Sequence, residues 1–304
     1  MNKDLISIYN LTEEDINRIF QRVFEIKERD KNGVLYTPLK NKSVVLFFDK
    51  HSTRTRISFE VAIYQLGGYP LFLSSKDTQL ERGEPIKDFA RILSSYLDAI
   101  IIRTYSHKRI EEIAKYASIP VINGLSDLLH PCQILSDIFT IIEKKGGYKE
   151  LKIAYVGDGN NIANSWIEAA TRLNFNLSIA SPRGYEPNKE ILNRASMESI
   201  SEIELFEDPI EAVRDADIIN TDVWTSMGME HEYDKRLKIF KDYQVNKELI
   251  KHAKKDVLIM HCLPAHRGEE ITDDVIEEEH SIIFDQAANR LPVQKAILDL
   301  LINR

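Results

Sequence analysis

The chain has 304 residues, and its 40 Lys+Arg against 48 Asp+Glu give a formal net charge of −8 at pH 7. A hydrophobic fraction of 43% is enough for a packed core, so an intrinsically disordered chain is excluded, and 12 Gly with 10 Pro exclude collagen-like and low-complexity classes. The acidic balance argues against a nucleic-acid or anionic-membrane partner, but not against a small anion in a local basic pocket. The length predicts two domains.

Cysteine usage and the amino-terminal sequence predict the compartment. Cys132 and Cys262 lie far apart, whereas a secreted disulfide scaffold would carry many cysteines in a shorter chain. The N-terminal segment lacks the apolar region and small-residue cleavage site of a signal peptide, and no run approaches the roughly 18 apolar residues of a transmembrane helix. We therefore expect a soluble, cytoplasmic protein with no membrane partner.

Short apolar runs alternate with amphipathic segments along the whole chain. The runs are nearly continuous in Val, Ile, Leu and Phe, which is typical of parallel strands covered on both faces. Strands are predicted at Val44–Phe48, Tyr69–Leu73, Ala99–Ile102, Pro120–Ile122, Ile153–Val156, Leu177–Ala180, Asp217–Thr221, Val257–Met260 and Ile282–Phe284. Helices are predicted at Ser52–Leu66, Pro85–Tyr96, Ile110–Ala117 and Ile134–Lys145. This alternation predicts an α/β fold of two doubly wound domains, each a parallel sheet flanked by helices, with a ligand cleft between them.

The domain boundary is predicted within the charged, glycine-containing stretch 144–149, which comes after a long predicted helix and precedes a new strand. Residues 1–146 would form the first domain and residues 147–289 the second. The amphipathic C-terminal segment, from about 290 to 304, is expected to pack back on the first domain. Thr12 with Asp15 fits a helix capping box, and Asn246 is a predicted N-cap.

The loop after the first strand carries a candidate anion site. Ser52-Thr53-Arg54-Thr55-Arg56 runs straight into a predicted helix. Backbone N–H groups at a helix start attract anions, and arginines add charge-assisted donors suited to phosphate. A capped helix with solvated arginines would be the simpler interpretation of one Ser-Thr-Arg. Two arginines alternating with two threonines after a buried strand favour phosphate binding instead.

Further donors come after later strands of the first domain. Arg103 stands directly after a predicted strand, and His130-Pro131-Cys132-Gln133 opens a predicted helix. Because His130 and Gln133 are three residues apart, both can face one crevice. A single histidine is more often structural, but Arg103 and His130 together could donate to a carbonyl oxygen on which negative charge develops.

The second domain begins with a glycine-rich turn. Ile153–Val156 leads into Gly157-Asp158-Gly159-Asn160-Asn161, which resembles the opening of a dinucleotide fingerprint. However, the third glycine position is Ile162, and the next strand ends in Ser181-Pro182-Arg183 without an acidic residue to hold a ribose. A tight turn that presents Asn161 is favoured, while Arg183 keeps an NADP-binding oxidoreductase as an alternative.

Two later loops of the second domain are also polar. Asp222-Val223-Trp224-Thr225-Ser226-Met227-Gly228 offers a carboxylate to a cationic group. His261-Cys262-Leu263-Pro264 allows a zinc site, a thiolate nucleophile with a histidine partner, or a polar pair lining a ligand pocket. A zinc site lacks further ligands at suitable spacing, and a nucleophile lacks a clear third member. The pocket is favoured, and no metal is predicted.

Together these motifs resemble the aspartate/ornithine carbamoyltransferase family. Ser52–Arg56 matches the carbamoyl-phosphate motif of the family and His130–Gln133 matches its second motif; with Arg103, these are shared by both branches. Asp222–Gly228 and His261–Pro264 look like the ornithine branch, since the aspartate branch carries a Pro-Leu-Pro-type segment in the latter place. The resemblance runs from the first helix to Asn289-Arg290, with the motifs in the order of the family.

The resemblance implies transfer of the carbamoyl group from carbamoyl phosphate to the side-chain amine of L-ornithine, giving L-citrulline and phosphate without a cofactor. Carbamoyl phosphate would be bound by Ser52, Thr53, Arg54, Thr55, Arg103, His130, Gln133, Cys262, Leu263, Arg290 and, from a neighbouring subunit, Gln79. The α-amino acid end of ornithine would be bound by Asn161, Asp222, Ser226 and Met227. Arg103, His130 and Cys262 would be the catalytic residues. A homotrimer, or a multiple of trimers, and a cis Leu263–Pro264 bond are also implied.

One residue departs from the pattern of the family, whose members commonly have a histidine where this chain has Pro292. Arg290 is intact, so we expect the chemistry to be unaffected, although the docking of the last helix could change. Alternatives are a carbamoyltransferase for aspartate, putrescine or an acylated ornithine, an NADP-binding oxidoreductase, and a silent interaction subunit. The intact Arg54, Arg103 and His130 disfavour the silent subunit. The sequence leaves the direction of the reaction, towards arginine synthesis or breakdown, open.

Overall fold

The computed structural model describes residues 1–303 and divides the chain into two units. Unit 1 comprises Met1–Ser136 and the C-terminal segment from Asn289, and unit 2 comprises Asp137–Ala288. The division falls inside two helices rather than in a linker, whereas the sequence places the boundary between residues 146 and 147. The domain spans 1–146 and 147–289 therefore stay a prediction.

Unit 1 is built on four parallel strands: β1 (Ser43–Phe48), β2 (Tyr69–Ser74), β3 (Ala99–Arg103) and β4 (Val121–Leu125). Their order in the sheet is β2-β1-β3-β4. The helices of this half of the chain are α1 (Glu13–Lys31), α2 (Arg54–Gln65), α3 (Ile86–Tyr96), α4 (His107–Tyr116) and α5 (Pro131–Lys145). The sequence predicted all four strands and four of these helices, with ends that differ by a few residues.

The core of unit 1 results from the apolar runs of its inner strands. Strand β1 is buried from its second residue onward and β3 throughout, as expected for strands with a partner on each side. Phe47 of β1 packs against Phe89 of α3, with ring centroids 5.0 Å apart. The predicted capping box of α1 is confirmed, because Thr12 and Asp15 exchange hydrogen bonds between side chain and backbone.

Unit 2 is built on five parallel strands: β5 (Lys152–Val156), β6 (Asn176–Ala180), β7 (Ile203–Phe206), β8 (Ile218–Thr221) and β9 (Leu258–His261), in the order β7-β6-β5-β8-β9. The helices after α5 are α6 (Asn161–Ala170), α7 (Lys189–Glu198), α8 (Pro209–Val213), α9 (Tyr233–Phe240), α10 (Lys247–Ile250), α11 (Asp273–Ile276) and α12 (Ile283–Ile302). Asn246 caps α10 by accepting from the Leu249 N–H, as predicted.

Two details of unit 2 differ from the sequence prediction. The strand predicted at Ile282–Phe284 is wrong: Ser281 forms an isolated bridge with Ile259, and α12 begins at Ile283. Strand β7 was not predicted, because it is a short, half-exposed edge strand interrupted by Glu204. Helix α12 continues through Pro292, which has no N–H for the helical ladder.

The two sheets define where ligands can bind. In open parallel sheets, the crevice lies beyond the carboxyl ends of the strands, at the switch point, which is where the strand order reverses. That point lies between β1 and β3 in unit 1 and between β5 and β8 in unit 2. Within residues 1–303, no helix is long and apolar enough to span a bilayer.

Candidate active site

The switch point of unit 1 brings two predicted site segments side by side. Phe48 at the end of β1 is in register with Arg103 at the end of β3, and the Asp49 N–H donates to the Arg103 carbonyl at 2.8 Å. The loop that leaves β1 therefore starts beside Arg103. The sequence placed both segments after strands, and the parallel register explains why they meet.

The loop from β1 enters α2 through a capped turn. The Ser52 hydroxyl accepts from the Thr55 N–H at 3.2 Å, while Thr53, the residue before α2, is exposed. Arg54 is half-buried and forms no ion pair with any residue in 1–303. Because its charge is not neutralised by an acidic side chain, Arg54 is suited to an anionic ligand.

Arg56 behaves differently from Arg54, although the sequence pattern treated the two alike. Its Nε lies 2.9 Å from the Glu60 carboxylate, and its guanidinium stacks 3.6 Å from the centroid of the Phe72 ring. The expectation that Arg56 joins the phosphate site is thus not supported by its contacts. The period of the helix explains the difference, because residues 56 and 60 lie on one face.

Four predicted residues of unit 1 form one buried group: Thr55, Arg103, His130 and Arg290. Arg290, which lies in α12, donates from Nη2 to the Thr55 hydroxyl at 2.7 Å, and both side chains are buried. Burial, with the positive charges of Arg290 and Arg103, holds the pKa of His130 well below its usual range. His130 is therefore a neutral imidazole at pH 7 in the free protein, beside two buried cations.

Gln133 and Gln79, the other predicted residues of unit 1, lie in different settings. Gln133 is in the first turn of α5, is fully buried, and donates its backbone N–H to the His130 carbonyl at 3.1 Å. Gln79 opens the 3₁₀ turn Gln79–Arg82, where it is exposed, and its side chain forms no hydrogen bond within 1–303. The structure does not bring Gln79 to the buried group of its own chain.

The switch point of unit 2 joins the glycine turn to Asp222 and Cys262. Val156 and Thr221 are in register, and Thr221 is in register with His261, so the loops after β5, β8 and β9 emerge together. Asp222 accepts from the Asn160 amide at 2.8 Å on one oxygen and from the Cys262 thiol at 3.0 Å on the other. Asn160, which also caps α6, makes this contact.

The glycine turn is filled by its own chain. A Cβ at Gly159 would lie 2.3 Å from the backbone of Glu186 and Pro187, and the Gly159 N–H donates to the Tyr185 carbonyl at 2.8 Å. Only glycine fits such a close approach. The N–H that a pyrophosphate would need is used internally, which disfavours a dinucleotide site.

The prediction that His261 lines a ligand pocket is wrong. Its side chain is fully buried; Nδ1 accepts from the Leu263 N–H at 2.9 Å, which leaves Nε2 to donate to the buried Glu270 at 2.9 Å. Because β9 is otherwise apolar, nothing in the sequence indicated that His261 forms these buried hydrogen bonds. His261 instead fixes the backbone of Leu263, which has φ of +57° and precedes the cis bond to Pro264 that the resemblance implied.

The atoms of Asp222, His261 and Cys262 that could bind a metal lie within 4.8 Å of one another. The arrangement does not fit a resident metal, because both ring nitrogens of His261 are already hydrogen-bonded. A bound ion would have to break the contact to Glu270 or to Leu263. These residues are better described as a hydrogen-bonded scaffold for the loop after β9.

The predicted residues Asn161, Ser226 and Met227 lie close in sequence to Asn160 and Asp222. Asn161 is the first residue of α6 and is half-buried, as is Ser226, while Met227 is 45% exposed. The sequence missed a buried ion pair of unit 2: Arg236 Nη1 lies 3.0 Å from Oδ2 of Asp158 in the glycine turn, and Arg236 also donates to the Trp224 carbonyl. An arginine on an amphipathic helix gave no signal of this role.

Two parallel α/β units with polar side chains at both switch points define a two-domain, ligand-binding α/β protein. Residues 3–143 match the model of the aspartate/ornithine carbamoyltransferase carbamoyl-P binding domain, and residues 149–301 match that of the Asp/Orn binding domain. The chain belongs to the aspartate/ornithine carbamoyltransferase family.

Individual relatives are similar over their full length. The chain is 60% identical over 302 residues to an ornithine carbamoyltransferase of Syntrophus aciditrophicus, covering 99% of this chain and 100% of the relative. A solved ornithine carbamoyltransferase from Pyrococcus furiosus superimposes with a TM-score of 0.95 at 51% identity, covering 99% and 97% of the two chains. An anabolic ornithine carbamoyltransferase from Campylobacter jejuni gives 0.93 at 40% identity, covering 99% of each.

Proposed function

We propose that this chain transfers the carbamoyl group from carbamoyl phosphate to the side-chain amine of L-ornithine, giving L-citrulline and phosphate. The observation that carries the proposal is the buried group of unit 1, in which Arg103 and Arg290 flank the neutral His130. Two buried cations beside a neutral imidazole make this place locally positive, in a chain that is acidic overall, and so favour an anion there. Carbamoyl phosphate supplies that anion.

The phosphate would be held where α2 begins. Ser52, Thr53, Arg54 and Thr55 offer hydroxyls, backbone N–H groups and one guanidinium, and the helix dipole adds a partial positive charge there. The Thr55 hydroxyl already accepts from Arg290, so its own proton points to another acceptor. Gln79 of a neighbouring subunit would complete this grip.

The carbamoyl carbonyl would be polarised by Arg103 and His130. A neutral imidazole donates one N–H, and a buried guanidinium donates charge-assisted bonds, so both stabilise a developing oxyanion. Gln133 and the Leu263 backbone would orient the amide of the substrate. Because the Leu263 N–H is used by His261, its contribution is the carbonyl oxygen, which can accept from that amide.

The acceptor would bind through unit 2, with Asn161, Asp222, Ser226 and Met227 at its α-amino acid end and Cys262 beside its reacting amine. A free alkyl ammonium has a pKa near 10.4, so the amine must lose a proton before it attacks. Burial next to Cys262 lowers that pKa. The amine then attacks the carbonyl, the tetrahedral oxyanion collapses, and the C–O bond to phosphate breaks without a covalent enzyme intermediate. The leaving phosphate takes up the proton that the nitrogen gives up when it becomes the ureido N–H.

We further propose that the chain works as a homotrimer, alone or in multiples. Strand β2 is at the edge of its sheet and exposes large apolar side chains: Tyr69, Leu71 and Phe72. Helix α2 also exposes two, Ile57 and Tyr64. Large apolar side chains on an edge strand are typical of a surface that a partner covers. Gln79 comes after β2 in the chain and would reach the partner's site from there.

The test is product formation with a panel of acceptors. Purified protein with carbamoyl phosphate should give citrulline from L-ornithine, and at least about a hundredfold lower kcat/KM with aspartate, putrescine or N-acetylornithine, since a missing polar partner is strongly rejected. Turnover of another acceptor at a higher rate would overturn the choice of ornithine. Mass measurement of the active species, by light scattering, tests the trimer.

A further inference from the structure

One buried side chain, that of Arg236, contacts the loop from Asp222 to Glu232 at three places. This guanidinium is 4% exposed and donates to the Trp224 carbonyl at 2.8 Å, near the start of the loop. It also lies 3.7 Å from the Met229 sulfur and 2.9 Å from the Glu232 carboxylate. One planar group thus contacts the loop near its beginning, in its middle and at its end.

The same guanidinium ties the loop to the glycine turn after β5. Nη1 of Arg236 lies 3.0 Å from Asp158 Oδ2, and both side chains are about as buried as the core. Burial raises the pKa of Asp158 to about 6, against the opposing effect of Arg236. Two carboxylates in the same region, Asp222 and Glu232, push that pKa further upward. Arg236 is therefore the group that keeps the Asp158 carboxylate charged here.

We propose that Arg236 and Asp158 are positioning residues for the acceptor: they set the path of the loop that carries Ser226 and Met227. This inference rests on the proposed function, in which those two residues bind the amino-acid end of ornithine. Arg236 and Asp158 act through the loop rather than by contact with substrate. The guanidinium also lies 4.8 Å from the centroid of the Tyr185 ring.

The expected effect is specific to one substrate. Without the guanidinium contacts the loop samples more conformations, and acceptor binding must then order it. The KM for ornithine should rise about ten- to hundredfold in Arg236→Lys or Asp158→Asn, the range expected for losing a charged hydrogen bond. The KM for carbamoyl phosphate, whose phosphate would be held by unit 1 and which neither Ser226 nor Met227 would bind, should stay within about twofold.

A milder variant keeps the test informative if those two fold poorly. Glu232→Gln removes only the charge at the end of the loop, at a partly exposed position, and should raise the ornithine KM about two- to fivefold. Its matched control is Glu198→Gln on α7, where Arg194 Nε contacts a glutamate four residues on at 3.0 Å, as in the Arg236–Glu232 pair but with the order reversed. The control should leave both KM values unchanged.

The assay is steady-state kinetics in both substrates, with a thermal melt of each variant. A selective rise in the ornithine KM for Glu232→Gln but not Glu198→Gln, and non-additive effects in the Asp158→Asn/Arg236→Lys double variant, support the inference. Equal changes in both KM values, additive effects, or an unchanged ornithine KM in all variants overturn it. A wild-type protein that makes no citrulline would instead refute the proposed function.

Discussion

The two switch points share one topology but collect side chains of different charge. In unit 1 the end of β3, the start of α5 and the first half of α12 supply Arg103, His130 and Arg290, and Arg54 opens α2 after β1. In unit 2 the ends of β5, β8 and β9 supply an amide, a carboxylate and a thiol, through Asn160, Asp222 and Cys262. Parallel register dictates where side chains emerge, and the residue types then decide which ligand is attracted.

The two regions also differ in how their side chains are held. The donors of unit 1 lie within regular elements or next to their ends, so the sheet and helices fix them directly. Ser226 and Met227 of unit 2 lie in an irregular loop whose path depends on a buried ion pair. An anion site built on rigid elements is preorganised, whereas a loop can adjust around an amino acid.

Removing a catalytic donor from unit 1 should have the greatest effect on turnover. Arg103→Ala should lower kcat about 10²- to 10³-fold, the usual effect of losing one oxyanion donor. The ornithine KM should change little, because Arg103 lies in unit 1 and Asp222 in unit 2. Steady-state kinetics with citrulline as the product measures both constants.

The converse variant in unit 2 is the control. Asp222→Asn keeps the hydrogen bonds of the carboxylate in part but removes its charge, so it should raise the ornithine KM more than the carbamoyl phosphate KM. If Arg103→Ala changed the ornithine KM and left kcat intact, the division of labour between the two units would be refuted.

The two arginines of the Ser52–Arg56 motif offer a sharper comparison within one turn. Arg54→Ala should raise the carbamoyl phosphate KM about ten- to hundredfold, because a charged hydrogen bond to the phosphate is lost. Arg56→Ala should raise it less than about threefold, since Arg56 is engaged by Glu60 and Phe72. Isothermal titration with carbamoyl phosphate or inorganic phosphate measures the difference. If both variants lost the same affinity for carbamoyl phosphate, Arg56 would belong to the phosphate site.

These arginines also mark how far the sequence could predict the site. Apolar runs and their order were enough to predict eight of the nine strands described within residues 1–303, and to place Arg54, Arg103, Asp222 and Cys262 at or after strand ends. The loops could be placed because the segments after parallel strands all emerge at one edge of the sheet. Which of two nearby arginines points to a ligand depends on the helical phase and on Glu60, which a motif does not encode. The register of neighbouring strands could not be predicted from the sequence either.

The buried polar network of unit 2 was out of reach for a related reason. His261 lies in an apolar strand, and a sequence does not show that its two ring nitrogens are hydrogen-bonded to Glu270 and Leu263. Asp158 and Arg236 are far apart in sequence and resemble ordinary turn and helix residues. Ile282–Phe284 shows the opposite error, since a short apolar run fits a strand as well as a buried helix start.

The electrostatics of unit 1 can be tested by titration. Since the folded-state pKa of His130 is depressed, the unfolded chain binds the proton first as pH falls below the usual value near 6.5. The free energy of unfolding should then fall with decreasing pH in that range, by up to about 1.4 kcal/mol per pH unit. Above pH 6.5 this contribution is fully present and constant.

Urea denaturation at several pH values measures how the free energy of unfolding depends on pH. The same measurement on His130→Gln shows how much of this pH dependence comes from His130. Arg290→Met removes one of the two cations beside His130, so it should raise the pKa of the imidazole and reduce the slope. Imidazole NMR signals of the folded protein report the pKa directly. An ordinary titration of His130 near pH 6.5 in the wild type would contradict the burial and charge of this group.

The two cysteines of the chain lie in different units and should differ in reactivity. Cys132, in unit 1, is buried, its thiol donates to the Asn123 carbonyl at 3.4 Å, and burial raises its pKa to about 12. Cys262, in unit 2, is half-buried beside Asp222. Because the thiolate is the reactive form, Cys132 should be inert and Cys262 should be the thiol modified in the native protein.

An aromatic disulfide reagent tests this by counting thiols before and after denaturation, and Cys132→Ala and Cys262→Ala assign the reactive one. Modification of Cys262 should block citrulline formation. Bound ornithine should slow the modification, because the reagent and the substrate amine compete for the space beside the Cys262 thiol. Cys132→Ala should keep kcat within about twofold, since the thiol only fills the core. Rapid modification of Cys132 in the native chain would mean that unit 1 opens more readily than its burial allows, and the contrast between a rigid anion site and an adjustable acceptor site would be lost.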